Sequence, residues 1–61
     1  MKFSAHEKHL EAERELGMRK RFYPHKVESG AMSNAVARRR IELMQEIADD
    51  YEILAIKERM L

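Results

Sequence analysis

The sequence predicts an all-α protein: an antiparallel helical hairpin, with a short helical turn in the connection, that associates as a homodimer resembling a four-helix bundle. Between Asn34 and Leu61 there is no proline or glycine, and apolar residues recur at helical spacing. An earlier stretch beginning at Ser4 meets no strong helix breaker until Pro24. A chain of 61 residues without cysteine has a marginal core, so a partner subunit is the leading source of further burial.

The first helix is predicted over about residues 4–23 of a single domain that spans residues 1–61. Ser4-Ala5-His6-Glu7 matches a capping box, in which the serine hydroxyl accepts from the amide three residues later. The residue before a proline is pushed out of the α region, so the helix is expected to end near Phe22 or Tyr23.

The connection is predicted over residues 24–33. Pro24 suits the first position of a short helical turn, and Gly30 suits the left-handed position that ends one. Val27 would then point inward, and Ser33 would cap the second helix. Such a short connection favours antiparallel packing of the two helices.

The second helix is predicted over about residues 34–60, with one broad apolar sector expected to be buried. Arg40 falls near the centre of that sector, where an unpaired charge is costly. We expect Arg40 to be semi-buried and paired with Glu13; a carboxylate of a second chain and a snorkelling side chain are the alternatives. The sector contains Val36, Ala37, Arg40, Ile41, Leu43, Met44, Ile47, Ala48, Tyr51, Leu54, Ala55 and Leu61.

Several apolar residues lie outside the faces that the two helices would turn toward each other. Ile53, Ile56 and Met60 lie opposite the broad sector, and a monomer would leave them exposed together. On the first helix, Met18 and Phe22 point in a second direction. The predicted dimer interface is therefore Met18, Phe22, Tyr51, Ile53, Ile56 and Met60.

Basic residues gather where an antiparallel hairpin has its turn. Although 38% of the residues are charged, the net charge is only +1. The charges are thus balanced overall, and the clustering of basic residues at the turn predicts that they are segregated by sign. A basic tip of this kind can hold phosphates, which makes nucleic acid a possible partner. Alternatively, these cations complement a helix dipole or pair along the surface, as Arg38 and Glu42 can. The candidate nucleic-acid residues are Arg19, Lys20, Arg21, Lys26, Arg38 and Arg39.

Catalytic and metal-binding patterns are weak. The sequence has no cysteine, no phosphate-binding glycine loop and no H-E-x-x-H motif, so we expect neither an enzyme nor a cofactor. His6, His9 and Glu13 can share one helix face, but solvated or interface histidines are the stronger interpretation, and no metal is expected. No apolar run approaches a membrane span, and a signal-peptide core is missing; a cytoplasmic protein without a membrane partner is expected.

From Glu15 to Tyr51 the chain resembles a family of small helical-hairpin proteins, mostly uncharacterised, that bacteriophages and prophages encode. The resemblance rests on Met18-Arg19-x-Arg21-x-Tyr23-Pro24, on Val27-x-Ser29-Gly30-x-Met32-Ser33 and on Arg39-x-Ile41-x-x-Met44-x-x-Ile47-Ala48-x-Asp50-Tyr51. It implies a phage-like origin and a helical hairpin, and it implies no catalytic residues.

The expected function is that of a small accessory or regulatory protein that is not an enzyme. It would act through self-association and through binding another macromolecule, such as a protein partner. The alternative is a nucleic-acid-binding accessory protein that uses the basic tip.

Overall fold

The computed structural model describes residues 2–60 and confirms an all-α helical hairpin. Helix α1 (Ala5–Glu28) and helix α2 (Asn34–Met60) are antiparallel and pack against each other along most of their lengths. The Glu58 carboxylate accepts from the Ala5 amide at the open end of the hairpin. The result is a rod with extents of 47 × 16 × 16 Å.

Both helices begin with the caps that their local sequences predict. The Ser4 hydroxyl accepts from the Glu7 amide at 3.1 Å, and the Ser33 hydroxyl accepts from the Val36 amide at 3.1 Å. Gly30 has a φ of +84°, in the left-handed region that suits glycine. These contacts satisfy backbone groups that helix termini leave without intrahelical partners, so the positions of the caps follow from short-range chemistry.

Helix α1 continues through Pro24 to Glu28, so the predicted end near residue 23 and the separate short helical turn were wrong. Proline lacks an N–H, which costs the helix one hydrogen bond to the carbonyl four residues earlier. Pro24 is exposed, so water can satisfy that carbonyl. The added turn brings Val27 to a half-buried position in the groove that it lines with Ala37 and Ile41.

The helices meet along one row of residues on each, which we call the seam. Positions in both rows alternate between spacings of three and four residues, the pattern of a coiled coil. Each seam residue is buried or half-buried. The α1 row is Ala5, His9, Ala12, Leu16, Arg19 and Tyr23, and the α2 row is Ala37, Ile41, Met44, Ala48, Tyr51 and Ala55.

Alanine dominates the seam. Of the seven buried residues in the described range, five are alanine and only Leu16 and Met44 are larger. Ala12 and Ala48 complete the core cluster with those two, and Ile41 packs against it. Small side chains let the helices approach closely but bury little apolar area each, so the hairpin by itself has a thin core.

Candidate interaction surface

A second row of residues runs along each helix beside the seam, each member coming immediately before a seam residue. At about 100° per residue, both rows are rotated by the same amount from the seam. Because the helices are antiparallel, both rows lie on the same side of the hairpin; Leu54 of α2 accordingly shares a groove with Ser4 and Lys8 of α1. The α1 row is Ser4, Lys8, Glu11, Glu15, Met18 and Phe22, and the α2 row is Val36, Arg40, Leu43, Ile47, Asp50 and Leu54.

These rows contain six large apolar side chains, with Arg40 and Asp50 between the members on α2. We call these six the apolar face: Met18, Phe22, Val36, Leu43, Ile47 and Leu54. Each is between 36% and 53% exposed. The prediction that the broad sector of α2 is buried was therefore wrong for the four residues that α2 contributes to the apolar face. A single neighbouring helix covers only the seam row of α2, and this leaves the adjacent row open to solvent.

The exposed area of the hairpin is large for its mass. The chain exposes 5016 Å², whereas a compact monomeric protein of this size exposes about 4,200 Å². Apolar patches larger than a few hundred Å² are uncommon on monomeric proteins and mark sites of interaction. The apolar face is thus the strongest candidate for a functional surface among residues 2–60.

Hydrogen-bonded charges border the apolar face. The Arg14 guanidinium bonds to the Glu11 carboxylate, with the shortest N–O distance at 2.6 Å, and also donates to the Met18 sulfur at 3.4 Å. The hydrogen bond from Arg14, together with its charge, lowers the pKa of the exposed Glu11 carboxyl. This pair therefore places a charged group within the α1 row, next to Met18 of the apolar face.

The predicted pair of Arg40 with Glu13 was wrong. Both residues are exposed, and Glu13 lies on the opposite side of the hairpin from Arg40. Arg19 contacts the Arg40 backbone instead: its Nη1 donates to the Arg40 carbonyl at 2.9 Å, and its Nε donates to Glu15 at 3.1 Å. Arg40 belongs to the open row beside the seam, so its guanidinium needs no buried partner.

The residues predicted for a dimer interface are dispersed. Met18 and Phe22 belong to the apolar face. Tyr51 lies half-buried at the edge of the seam, with the Lys8 ammonium 5.8 Å from its ring centre. Ile53, Ile56 and Met60 are exposed on other sides of α2. The interface itself stays a prediction, with two separate apolar surfaces now available to it.

Charge is strongly polarised along the rod. Residues 17–43, the turn half, carry seven Lys and Arg and two Glu, a net charge of +5. The remaining residues carry five Lys and Arg and nine Asp and Glu, a net charge of −4. Arg19 is half-buried, whereas the other candidate phosphate-binding residues are exposed around the turn half: Lys20, Arg21, Lys26, Arg38 and Arg39.

On the side opposite the apolar face, His9 reaches across to α2. Its Nδ1 lies 3.2 Å from the Ala48 carbonyl oxygen, and its Nε2 lies 3.7 Å from a Glu52 carboxylate oxygen. One ligand atom each from His9, Glu13 and Glu52 lie within 4.8 Å of one another. Sequence reasoning grouped His9 and Glu13 with His6 and missed Glu52, because the pairing of α1 with α2 cannot be read from one helix alone.

No family model matches the chain, and neither the curated proteins nor the solved structures contain a match to it. Over residues 2–60, neither helix combines the length and the apolarity that crossing a membrane requires. The apolar face and the charge distribution of the hairpin are therefore the features from which we propose a function.

Proposed function

We propose that this protein is a non-enzymatic, phage-like accessory or regulatory protein of the cytoplasm that acts as a homodimer. Two hairpins pack through their apolar faces and form a four-helix bundle, which then binds another macromolecule. The single observation that supports this most directly is the exposure of six large apolar residues on one side of a hairpin whose own core is mostly alanine.

The dimensions of the hairpin suit such a dimer. One long side of the rod, 47 by 16 Å, presents roughly 750 Å², close to the about 800 Å² per partner that stable interfaces bury. The α2 row repeats the alternating spacing of three and four residues that packs helices into bundles. A second copy therefore covers the apolar face without leaving either end of it exposed.

Charge complementarity favours an antiparallel arrangement of the two hairpins. In that arrangement the +5 half of one chain lies against the −4 half of the other, at both ends of the dimer. A parallel arrangement would place two +5 halves side by side, and like charges in proximity oppose association. The symmetry is a two-fold axis through the middle of the apolar face, near Ile47 and Leu43.

Sedimentation equilibrium at micromolar concentration is expected to give twice the chain mass of 7.3 kDa. The chain has no cysteine, so a Ser29→Cys variant carries one spin label, at the turn. In the antiparallel dimer the two labels lie at opposite ends of the rod, roughly 40 Å apart by helix length. A parallel dimer would bring the labels close together.

Two results would contradict this proposal in different ways. A helical, cooperatively melting species that sediments as a monomer would remove the dimer. A dimer with closely spaced labels would retain self-association but reject the antiparallel arrangement and its electrostatic reason.

A second candidate function, nucleic-acid binding, is supported by the net charge of +5 on the turn half. In an antiparallel dimer, one such basic half lies at each end of the bundle beside the −4 half of the partner, so each end has a net charge of +1 and the phosphate contacts would be local to the basic half. Retardation of DNA or RNA in gels is expected to weaken steeply with salt, because phosphate contacts release counterions. The double variant Arg38→Glu/Arg39→Glu is expected to abolish retardation.

The matched control is Lys57→Glu/Arg59→Glu, which makes the same change of charge at the open end of the rod. This control is expected to retain most of the binding. Equal loss in both double variants would indicate an effect of net charge alone, and the absence of retardation at low salt would leave the turn half as a surface for a protein partner.

A further inference from the structure

We propose that His9, Glu13 and Glu52 form a site for a divalent transition-metal ion, with Zn²⁺ as the best-matched ion, that clips α1 to α2. The three residues come from both helices, and their ligand atoms lie within 4.8 Å of one another. Zinc binds combinations of histidine nitrogen and carboxylate oxygen, and helical bundles place such ligands on facing helices.

His9 is oriented for this role by the backbone of α2. Its Nδ1 lies 3.2 Å from the Ala48 carbonyl oxygen, which accepts hydrogen bonds but cannot donate them. Nδ1 therefore carries the proton, and the lone pair of the neutral ring is on Nε2. This is the arrangement in which a metal-ligating histidine is usually held, by a hydrogen bond from its other ring nitrogen.

The free nitrogen faces the carboxylates. His9 Nε2 lies 3.7 Å from Glu52 Oε2, close to the roughly 3.4 Å edge of a tetrahedron with zinc–ligand bonds of about 2.0–2.1 Å. Glu13 follows His9 by one helical turn, so it presents its carboxylate on the same face of α1. Small side-chain rotations of the two exposed glutamates bring both carboxylates into bonding distance of an ion on His9 Nε2. These are three protein ligands, and water takes the fourth position.

The imidazole is the most enclosed member of the site, because the His9 side chain is only 17% exposed whereas that of Glu52 is 57% exposed. An ion–pair role for His9 and Glu52 explains their proximity alone. It does not involve Glu13, whose carboxylate brings a second negative charge within 4.8 Å of the other two ligand atoms. Two carboxylates converging on one imidazole provide the charge that a dication needs.

The test is calorimetric titration of the tag-free full chain with zinc chloride at pH 7.5. We expect one ion per chain and an increase in melting temperature, since an ion that binds only the folded hairpin stabilises it by mass action. His9→Gln and Glu52→Gln are each expected to weaken binding by at least about tenfold. Glu13→Gln, at an exposed position outside the seam, is expected to do the same without affecting the fold.

His6→Gln and His25→Gln are the matched controls, since both histidines are exposed and lie outside the cluster. They are expected to leave the affinity unchanged. Cobalt substitution gives a second measurement: tetrahedral coordination produces visible absorption bands that Glu52→Gln should alter.

Absence of zinc binding would overturn the site, and so would affinity that survives both His9→Gln and Glu52→Gln. Loss of binding in His6→Gln with no effect of Glu52→Gln would place an ion on α1 alone, which also overturns the cross-helix site. The site lies opposite the apolar face, so its failure would leave the proposed dimer unaffected.

Discussion

Leu43→Glu is expected to convert the proposed dimer into monomers at concentrations where we expect the parent chain to be fully dimeric. In the proposed bundle, the two-fold axis passes near Leu43, so the substitution places two carboxylates in the centre of the apolar face. Desolvating these carboxylates in the interface costs several kcal/mol, even with Arg40 three residues earlier in the same row. The dissociation constant should therefore rise by at least about 100-fold, which corresponds to about 2.8 kcal/mol.

Ile53→Glu provides a closely matched control. Leu43 is 53% exposed and Ile53 is 52% exposed in the hairpin, and both lie within α2, but Ile53 lies away from the apolar face. Sedimentation equilibrium of both variants at several concentrations compares the two surfaces directly. We expect Ile53→Glu to leave the dissociation constant within a few-fold of the parent value.

The opposite behaviour of the two variants would place the dimer interface on a different surface of α2. Dissociation by Ile53→Glu, with Leu43→Glu remaining dimeric, would assign self-association to the surface around Ile53, Ile56 and Met60 that the sequence pattern suggested. Circular dichroism at high protein concentration separates loss of association from loss of the hairpin. Ile47→Glu, one turn along the same row, checks that the effect belongs to the apolar face rather than to one position.

Ala48→Leu is expected to destabilise the fold by about 1–3 kcal/mol, because overpacking a closed contact forces side chains or backbones apart. Ala48 is 0% exposed and lies in the core cluster with Leu16 and Met44. Its carbonyl oxygen is hydrogen-bonded to the His9 ring. Leucine adds three carbons where the helices touch. For a domain of this size, the melting temperature falls by about 4–8 °C per kcal/mol.

Ala35→Leu is the control for this prediction, since Ala35 is exposed on the same helix. Leucine and alanine have similar helix propensities, so we expect a change within about 0.5 kcal/mol at that position. Thermal and urea denaturation at one fixed protein concentration measure both variants. An Ala48→Leu chain as stable as the parent would mean that the alanine seam is not closely packed.

The helix caps are the part of the fold that the sequence determines by itself. Ser4 and Ser33 bond amides three residues away, and Gly30 takes a left-handed conformation that other residues adopt only at a cost. Each choice is settled within one turn of helix, so reading a few neighbouring residues suffices. The all-α hairpin then follows from two capped helical stretches and a short connection.

The end of α1 depended on more than its local sequence. Pro24 disfavours the helix that contains it by removing one hydrogen bond. Continuing the helix to Glu28 brings Tyr23 and Val27 into the groove beside Ala37 and Ile41 of α2. Burial against a distant segment outweighs a local penalty at an exposed position, and a single stretch of sequence carries no information about that burial.

Only the tertiary structure decided which row of α2 faces α1. On α2, the seam row and the second row beside it have the same alternating spacing. Helical periodicity therefore predicts one broad buried sector that includes both rows and contains Arg40. Ala5 and Ala12 of α1 meet the row of Ala37, Ala48 and Ala55, because small residues on both helices permit close approach. That pairing leaves Leu43, Ile47 and Leu54 outside the seam. It also brings Glu52 near His9, and this contact depends on how far the two helices are shifted along each other rather than on spacing within either one.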